Sequence, residues 1–390
     1  MIFGEIMERP IRVLQVVGCM DLGGAETFIM SIYRAIDKNK VQFDFVKHTS
    51  KKGILDDEIA KLGGKIYSCP QYIGKNHFVY CKWWDNFFVE HPEYHVIHGH
   101  VRSTAAIYLK IAKEYGLVTI SHSHNTSNGS GASSIVKYIM QLPIRYTADY
   151  LFSCSDKAGI WMFGKKATQK SNYRMIPNSV DLTRFAYNAN KRAQMREQLG
   201  IPAGDFLIGH VGRFITQKNH AFLVNVFAEY HKKNPNSRLL MLGTGELFEK
   251  IQKQCVELGI DKNVLMIGAK TNAEDYYQAM DAFIFPSLHE GLPVSVVEAQ
   301  ANGLPCLISN VITHDVNLTD LVIYLPLNDK NAWFTALDKA KSKEHKEISP
   351  NNKQKLLRFD SENVAKKLET FYMEQDEKRN EPIHFEIVSF

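Results

Sequence analysis

Apolar positions along the chain follow two alternating rhythms. Residues 11–17 form a short apolar run rich in β-branched side chains; Gly23-Gly24 interrupts it, and Phe28, Ile29, Ile32 and Tyr33 then recur at helical spacing. That is a strand, a glycine turn and a helix. The unit repeats: strands are predicted at 42–47, 94–97, 117–121 and 150–153, and helices at 54–62, 104–112 and 135–142. Such alternation predicts a mostly parallel sheet covered by helices on both faces.

The rhythm breaks near Ile176-Pro177-Asn178, and the polar stretch up to Gly200 reads as a connection. A second series follows, with strands at 206–211, 238–242, 264–267, 282–285 and 305–308, and helices at 221–230, 247–258 and 294–301. One late helix is predicted at about 362–373 in a charged tail. At roughly 150 residues per domain, 390 residues suit two domains. The expected division is 1–180, 181–355 and a C-terminal helix and tail, 356–390, packing back on the first domain. Two doubly wound α/β lobes are expected to face a central cleft at their strand ends, where such folds bind ligands.

Composition narrows the class. Apolar residues make up 45% and charged residues 23%, ordinary for a globular protein. No run approaches the roughly 18 uncharged residues of a membrane span, and the start, MIFGEIMERP, is short and acidic for a secretory signal. A cytoplasmic protein is expected. The six cysteines are scattered with no CxxC pair, as in reduced core thiols. Charge is uneven: residues 1–180 carry 22 Lys and Arg against 15 Asp and Glu, whereas 181–390 carry 25 against 27. The basic half is suited to an anionic partner such as a membrane surface. The apolar stretch 135–142, with Lys137 and Arg145 nearby, suits peripheral contact, although a buried core helix explains it as well. Basicity this modest, with no DNA or RNA motif, argues against nucleic acid.

Four constellations carry candidate chemistry. In His289-Glu290-Gly291-Leu292-Pro293, followed by Glu298, two glutamates bracket a strand-to-helix turn. The helix start offers free N–H groups and a positive dipole end to a phosphate, and Glu298 could accept hydrogen bonds from two sugar hydroxyls. In Gly212–Asn219, Arg213 and Lys218 follow a strand end and can both point at one diphosphate, Arg bidentate and Lys as a point charge. The turn at Gly23-Gly24 resembles a phosphate cradle but is neither GxGxxG nor a Walker loop. His98, His100, His122 and His124 follow predicted strands and suit sugar or acceptor contacts; the competing readings are strand-end histidines with local hydrogen bonds, and metal binding, against which neither pair has a carboxylate or cysteine at a recognised ligand spacing. No Asp-x-Asp occurs, so no metal and no cofactor are expected.

Together these segments resemble the family-four retaining glycosyltransferases of GT-B fold, closest to the subgroup that builds bacterial exopolysaccharide and capsule. The resemblance runs from residue 11 to about 375 and rests on GGAE at 23–26, SHSHN at 121–125, IPNSVD at 176–181, GRFITQKN at 212–219 and PSLHEGLPVSVVEAQANGLPC at 286–306. It implies a donor site of Gly23, Gly24, Asn178, Arg213, Lys218, Glu290, Gly291, Leu292, Pro293 and Glu298. Glu290 lies near the donor sugar and Glu298 at the ribose. His122 or His124 lies near the sugar, with His122 favoured because it directly follows the strand 117–121. Catalytic roles fall to His122, Glu290, Arg213 and Lys218, and the acceptor or sugar side to His100, His124 and Asn125. The resemblance also implies a nucleotide-sugar donor, a UDP-sugar by family habit, and a metal-independent front-face mechanism with retention. The expected reaction moves a hexose or N-acetylhexosamine to a lipid-linked saccharide at the inner membrane face. A soluble enzyme making a small glycoside shares every donor motif, and the intact Glu290, Glu298, Arg213 and Lys218 argue against a non-catalytic binder. Two departures stand out: Ser179 replaces the glycine of the usual PNG turn, and Gly243-Thr244-Gly245 replaces Gly-Asp-Gly.

Overall fold

The computed structural model describes residues 9–124, 132–343, 345 and 347–380. It divides into two compact units, Met1–Asn178 with Ser361–Phe390, and Ser179–Asp360.

The first unit is built on a seven-stranded sheet: β1 Ile11–Val17, β2 Val41–Lys47, β3 Ile66–Ser68, β4 Val96–Gly99, β5 Val118–Ser123, β6 Tyr150–Ser153 and β7 Tyr173–Met175. The order is β3-β2-β1-β4-β5-β6-β7, with every pair parallel. Strand order reverses between β1 and β4, so the crevice for ligands opens past their carboxyl ends. The edge strands β3 and β7 are three residues long and have no fully buried residue, so no apolar run marks them in the sequence. Helix His77–Glu90 also escaped the pattern: Tyr80, Trp84, Phe87 and Phe88 are buried, but Phe78 and Val79 on its outer side are exposed, which blurs the helical period.

Helix Ser361–Asn380 belongs to this unit. Val364, Ala365, Leu368, Phe371 and Tyr372 are buried at three- and four-residue spacing and share a core with Val13, Val17 and the helix Gly24–Ala35.

The second unit holds β8 Phe206–Val211, β9 Ser237–Leu242, β10 Val264–Gly268, β11 Ala282–Phe285, β12 Cys306–Ser309 and β13 Val322–Leu325. The order β10-β9-β8-β11-β12-β13, all parallel, is the dinucleotide-fold order 3-2-1-4-5-6, reversing between β8 and β11. The stretch expected to be a connection is part of this unit. Leu182, Phe185 and Met195, on helices Leu182–Phe185 and Ala189–Gln198, enter its core. Arg192 and Arg196 bond the Asp281 carboxylate and the carbonyl of Ala279. The stretch reads as polar because arginines make its docking contacts. Among the described residues no helix is long and apolar enough to cross a membrane.

Candidate active site

In the second unit the loops after β8 and β11 are fastened together where the strand order reverses. The Leu288 N–H donates to the Gln217 carbonyl at 2.8 Å, the Gln217 amide donates to the His289 carbonyl at 2.8 Å, and the Asn219 amide donates to the Pro286 carbonyl at 3.2 Å. Lys218 Nζ donates to Glu290 Oε1 at 2.7 Å and lies 4.6 Å from the centre of the Phe285 ring. Asn219, at φ 55°, is the one non-glycine residue with positive φ among those described; it turns the chain into helix His220–Lys233. Arg213 is exposed and has no carboxylate within ion-pair distance among the described residues.

The Gly243-Thr244-Gly245 turn supports this arrangement from below. Gly243 and Gly245 have φ of 138° and 155°, and a Cβ there would lie 2.1 Å from the Gly212 carbonyl oxygen and 2.5 Å from that of Phe214. The Phe214 N–H donates to the Thr244 carbonyl at 2.9 Å. The glycines let one backbone pass directly under another, a role that does not involve the side chain between them.

Helix Val294–Ala301 begins after Pro293 with no side-chain cap; the Val296 N–H donates to the Pro293 carbonyl at 3.1 Å, which leaves the N–H groups of Val294 and Ser295 to an anion. Leu292 is buried in the core below it. Glu298 lies on this helix, buried, with Oε2 accepting from the Tyr277 hydroxyl at 2.8 Å. Burial raises its carboxyl to about 7, Glu274 adds to the rise, and the Tyr277 bond and Arg184 oppose it. Burial thus holds this carboxyl between its two forms near pH 7.

In the first unit, Gly23 opens helix Gly24–Ala35 without a side-chain cap, past the end of β1. Phe28 on that helix packs against the rings of His122 and His124 at 5.3 and 5.4 Å. The histidines differ from expectation. β4 and β5 run further than the sequence suggested, so His98 and His122 lie inside strands and are 1% exposed. His100 and His124, both partly buried, stand at the strand ends. His122 therefore does not follow the strand, contrary to the sequence expectation: the histidine just past β5 is His124. The strand extends because Ser121 and Ser123 pair with Leu151 and Ser153 of β6. Asn178 is buried and interacts with His124. Ser179 takes the place of the turn glycine without a positive φ. Asn125 lies outside the described residues.

Sequence reasoning missed Gln15, Tyr277 and Tyr372. Gln15 left one signal, a lone polar side chain inside the apolar run of β1; the two tyrosines left none.

Two doubly wound units with phosphate-competent turns at their switch points define a GT-B glycosyltransferase. The family profile described as glycosyl transferases group 1 matches residues 191–355. EpsF of Bacillus subtilis, a glycosyltransferase by name, is 33% identical over 335 residues, covering 84% of this chain and 87% of its own. The Escherichia coli UDP-Gal:α-D-GlcNAc-diphosphoundecaprenol α-1,3-galactosyltransferase is 27% identical over 258 residues, 63% of this chain and 66% of its own. The Staphylococcus aureus capsular polysaccharide biosynthesis glycosyltransferase CapH is 24% identical over 375 residues, 93% and 99%. Among solved structures, Anabaena HepE in complex with UDP and glucose shares the fold at a TM-score of 0.76 with 15% identity, covering 93% of this chain and all of that one. The chain belongs to the group 1 glycosyl transferases and is an enzyme of that class.

Proposed function

We propose that the chain transfers a hexose or N-acetylhexosamine from a UDP-sugar to a lipid-linked saccharide in exopolysaccharide or capsule assembly, with retention and without a metal ion. The observation that carries the reading is the fastening of the Lys218 loop to the Glu290 loop beside an uncapped helix start. Arg213, Lys218 and the free N–H groups at Val294 neutralise the diphosphate as the bond from anomeric carbon to phosphate oxygen breaks. The acceptor hydroxyl forms the new bond on the same face, and its proton passes to the departing phosphate oxygen, leaving UDP and a glycoside. Glu298 accepts from the ribose hydroxyls and Glu290 serves the donor sugar beside Gly291. In the first unit the uncapped turn at Gly23 and Gly24, with Asn178, serves the donor, and His100 and His124 serve the sugar or acceptor.

The names of similar proteins support the donor and acceptor: the E. coli relative uses UDP-Gal and a diphosphoundecaprenol-linked sugar, CapH serves capsular polysaccharide, and HepE was solved with UDP. Exposure supports the lipid. Ile135, Val136, Tyr138 and Ile139 of helix Ala132–Gln141 are 63, 57, 48 and 60% exposed, with Lys137 and Arg145 on the same stretch. An apolar helix face flanked by cations suits an anionic membrane. The test is a panel of UDP-sugars offered with a polyprenyl-diphosphate saccharide and with soluble glycosides. Transfer confined to the lipid-linked acceptor supports the proposal; equal or better turnover of soluble acceptors supports a small-molecule glycosyltransferase instead.

A further inference from the structure

The loop after β2, residues 48–55, is fastened at both of its ends to the chain leaving β1. At the first end the His48 N–H donates to the Val17 carbonyl at 3.1 Å, and the His48 ring reaches the same carbonyl through Nδ1 at 3.2 Å. Burial holds this ring below its ordinary pKa and so neutral at pH 7. A carbonyl only accepts, so the proton sits on Nδ1, and Nε2 accepts from the Tyr80 hydroxyl at 2.6 Å. At the second end the Leu55 N–H donates to the Met20 carbonyl at 2.9 Å and the Ile54 N–H to Asp21 Oδ1 at 3.2 Å. Met20 and Asp21 lead directly into the turn at Gly23 and Gly24.

A buried ion pair sets the shape of this loop. Lys47, the last residue of β2, bonds Asp56, the first residue of helix Asp56–Lys61, and their side chains are 3% and 11% exposed. Each spends a further bond on the loop backbone. Lys47 Nζ donates to the Lys51 carbonyl at 2.8 Å, and Asp56 Oδ2 accepts from the Gly53 N–H at 3.0 Å. The Asp56 N–H returns a bond to the Gly53 carbonyl at 3.3 Å. Gly53 is thereby pressed onto the chain leaving β1: a Cβ there would lie 2.5 Å from the Met20 carbonyl oxygen and 3.0 Å from Asp56 Oδ1. Ion pairs this deep give little net stability, because desolvating two charges offsets their attraction, and an apolar pair often serves as well. An apolar pair cannot hold the Lys51 carbonyl and the Gly53 N–H in one geometry.

We infer that Asp56 is a positioning residue for the Gly23-Gly24 turn: with Lys47 it braces the loop after β2 against Met20 and Asp21, the residues that lead into that turn. The turn's service to a sugar-nucleotide phosphate rests on the glycosyl-transfer reading; the brace does not.

Two variants of the full chain test the brace. Gly53→Ala sets a methyl against the Met20 carbonyl and leaves the ion pair intact. Lys47→Met with Asp56→Leu removes both charges together and leaves an apolar pair. Amide hydrogen exchange and turnover of a UDP-sugar are measured for each. Exchange at Ile54 and Leu55 should quicken by at least about tenfold in both variants, with Val13 and Val16 of β1 exchanging as in the wild type. The kcat/KM for the nucleotide sugar should fall about tenfold or more, the scale on which a displaced positioning group costs rate. A pair that only stabilised the fold would let the apolar replacement restore turnover. A double variant within about twofold of wild-type kcat/KM, or exchange at Ile54 and Leu55 that stays slow in both variants, overturns the inference. If the double variant does not fold, Gly53→Ala decides by the same two measurements. Quickened exchange in variants of a chain that turns over no nucleotide sugar would contradict the glycosyl-transfer reading and leave the brace in place.

Discussion

Lys218 Nζ lies 2.7 Å from Glu290 Oε1, a cation from the loop after β8 held by an anion from the loop after β11. The pair bridges the point where strand order reverses in the second unit. It keeps the lysine placed before any phosphate arrives, so little reorganisation is needed as charge develops on a leaving group.

Lys218→Ala should therefore depress kcat by at least about tenfold, or about 1.4 kcal/mol of barrier. The loss should exceed the loss in donor-sugar binding, because on the proposed function the charge that the lysine meets grows in the transition state. Steady-state kinetics with a saturating nucleotide sugar measures it, and a thermal melt separates the effect from misfolding. A kcat within about threefold of wild type would remove Lys218 from the reacting phosphate.

Glu298 gives a pH signature. Its carboxyl, raised to about 7 by burial, must be ionised to accept two ribose hydroxyls well. Affinity for UDP should strengthen as pH rises from about 6 to about 8, and Glu298→Gln should be weaker and flat across that range. Glu298→Ala should cost roughly 1.5–3 kcal/mol, the value of hydrogen bonds to a charged group. Calorimetry with UDP alone reads both. A wild-type affinity that does not change with pH, with Glu298→Ala unaltered, would place this carboxylate outside the site.

Stability should respond to acid in the opposite sense to Glu298. His98, His100, His122, His124, His210 and His220 all have ring pKa values lowered by burial, the last three to about 4, about 4 and about 2. An unfolded histidine near 6.5 binds protons that these folded rings refuse. Their contribution is complete above pH 6.5 and is lost as pH falls toward the folded values. The raised Glu298 carboxyl works the other way, favouring the fold at low pH and losing that contribution between about 4.5 and 7, but it is one group against these six, to which the buried His48 and His345 add. The denaturation midpoint in urea should decline steadily from about pH 7 to about pH 5. A midpoint that rises over that range contradicts the buried neutral rings.

Much of this was legible in the sequence. The alternation of apolar runs with helical spacing gave both sheets their inner strands, and the glycine and glutamate turns fell at strand ends. What escaped did so for definite reasons. β3 and β7 are three-residue edges with no fully buried residue and little apolar signal. The stretch from 177 to 200 looked like a linker because Arg192 and Arg196 spend their charge on the distant, partly buried Asp281, which no local pattern reveals. The histidine spacing was visible, but which ring ends the strand depended on pairing with β6, and Tyr372 joins His98 across 274 residues of chain.

The exposed helix face makes a prediction of its own. Binding to vesicles containing anionic lipid should fall as salt rises, since the Debye length shrinks from about 10 Å at 0.1 M toward about 3 Å at 1 M. Ile135→Asp with Ile139→Asp should abolish it without changing the melt, because both side chains already face solvent. Equal sedimentation with neutral and anionic vesicles, or none with either, counts against membrane contact.

The most direct test of the account follows the anomeric carbon. Purified protein, a UDP-α-sugar and a lipid-linked saccharide are incubated in excess EDTA, and the first product is read by proton NMR at the anomeric position. The account requires turnover undiminished by EDTA and an α-linked product, because Arg213, Lys218 and the helix start at Val294 carry the leaving group on the face from which the acceptor enters. A β-linked product would contradict retention. Activity abolished by EDTA and restored by Mg²⁺ or Mn²⁺ would contradict the assignment of those cations to the diphosphate.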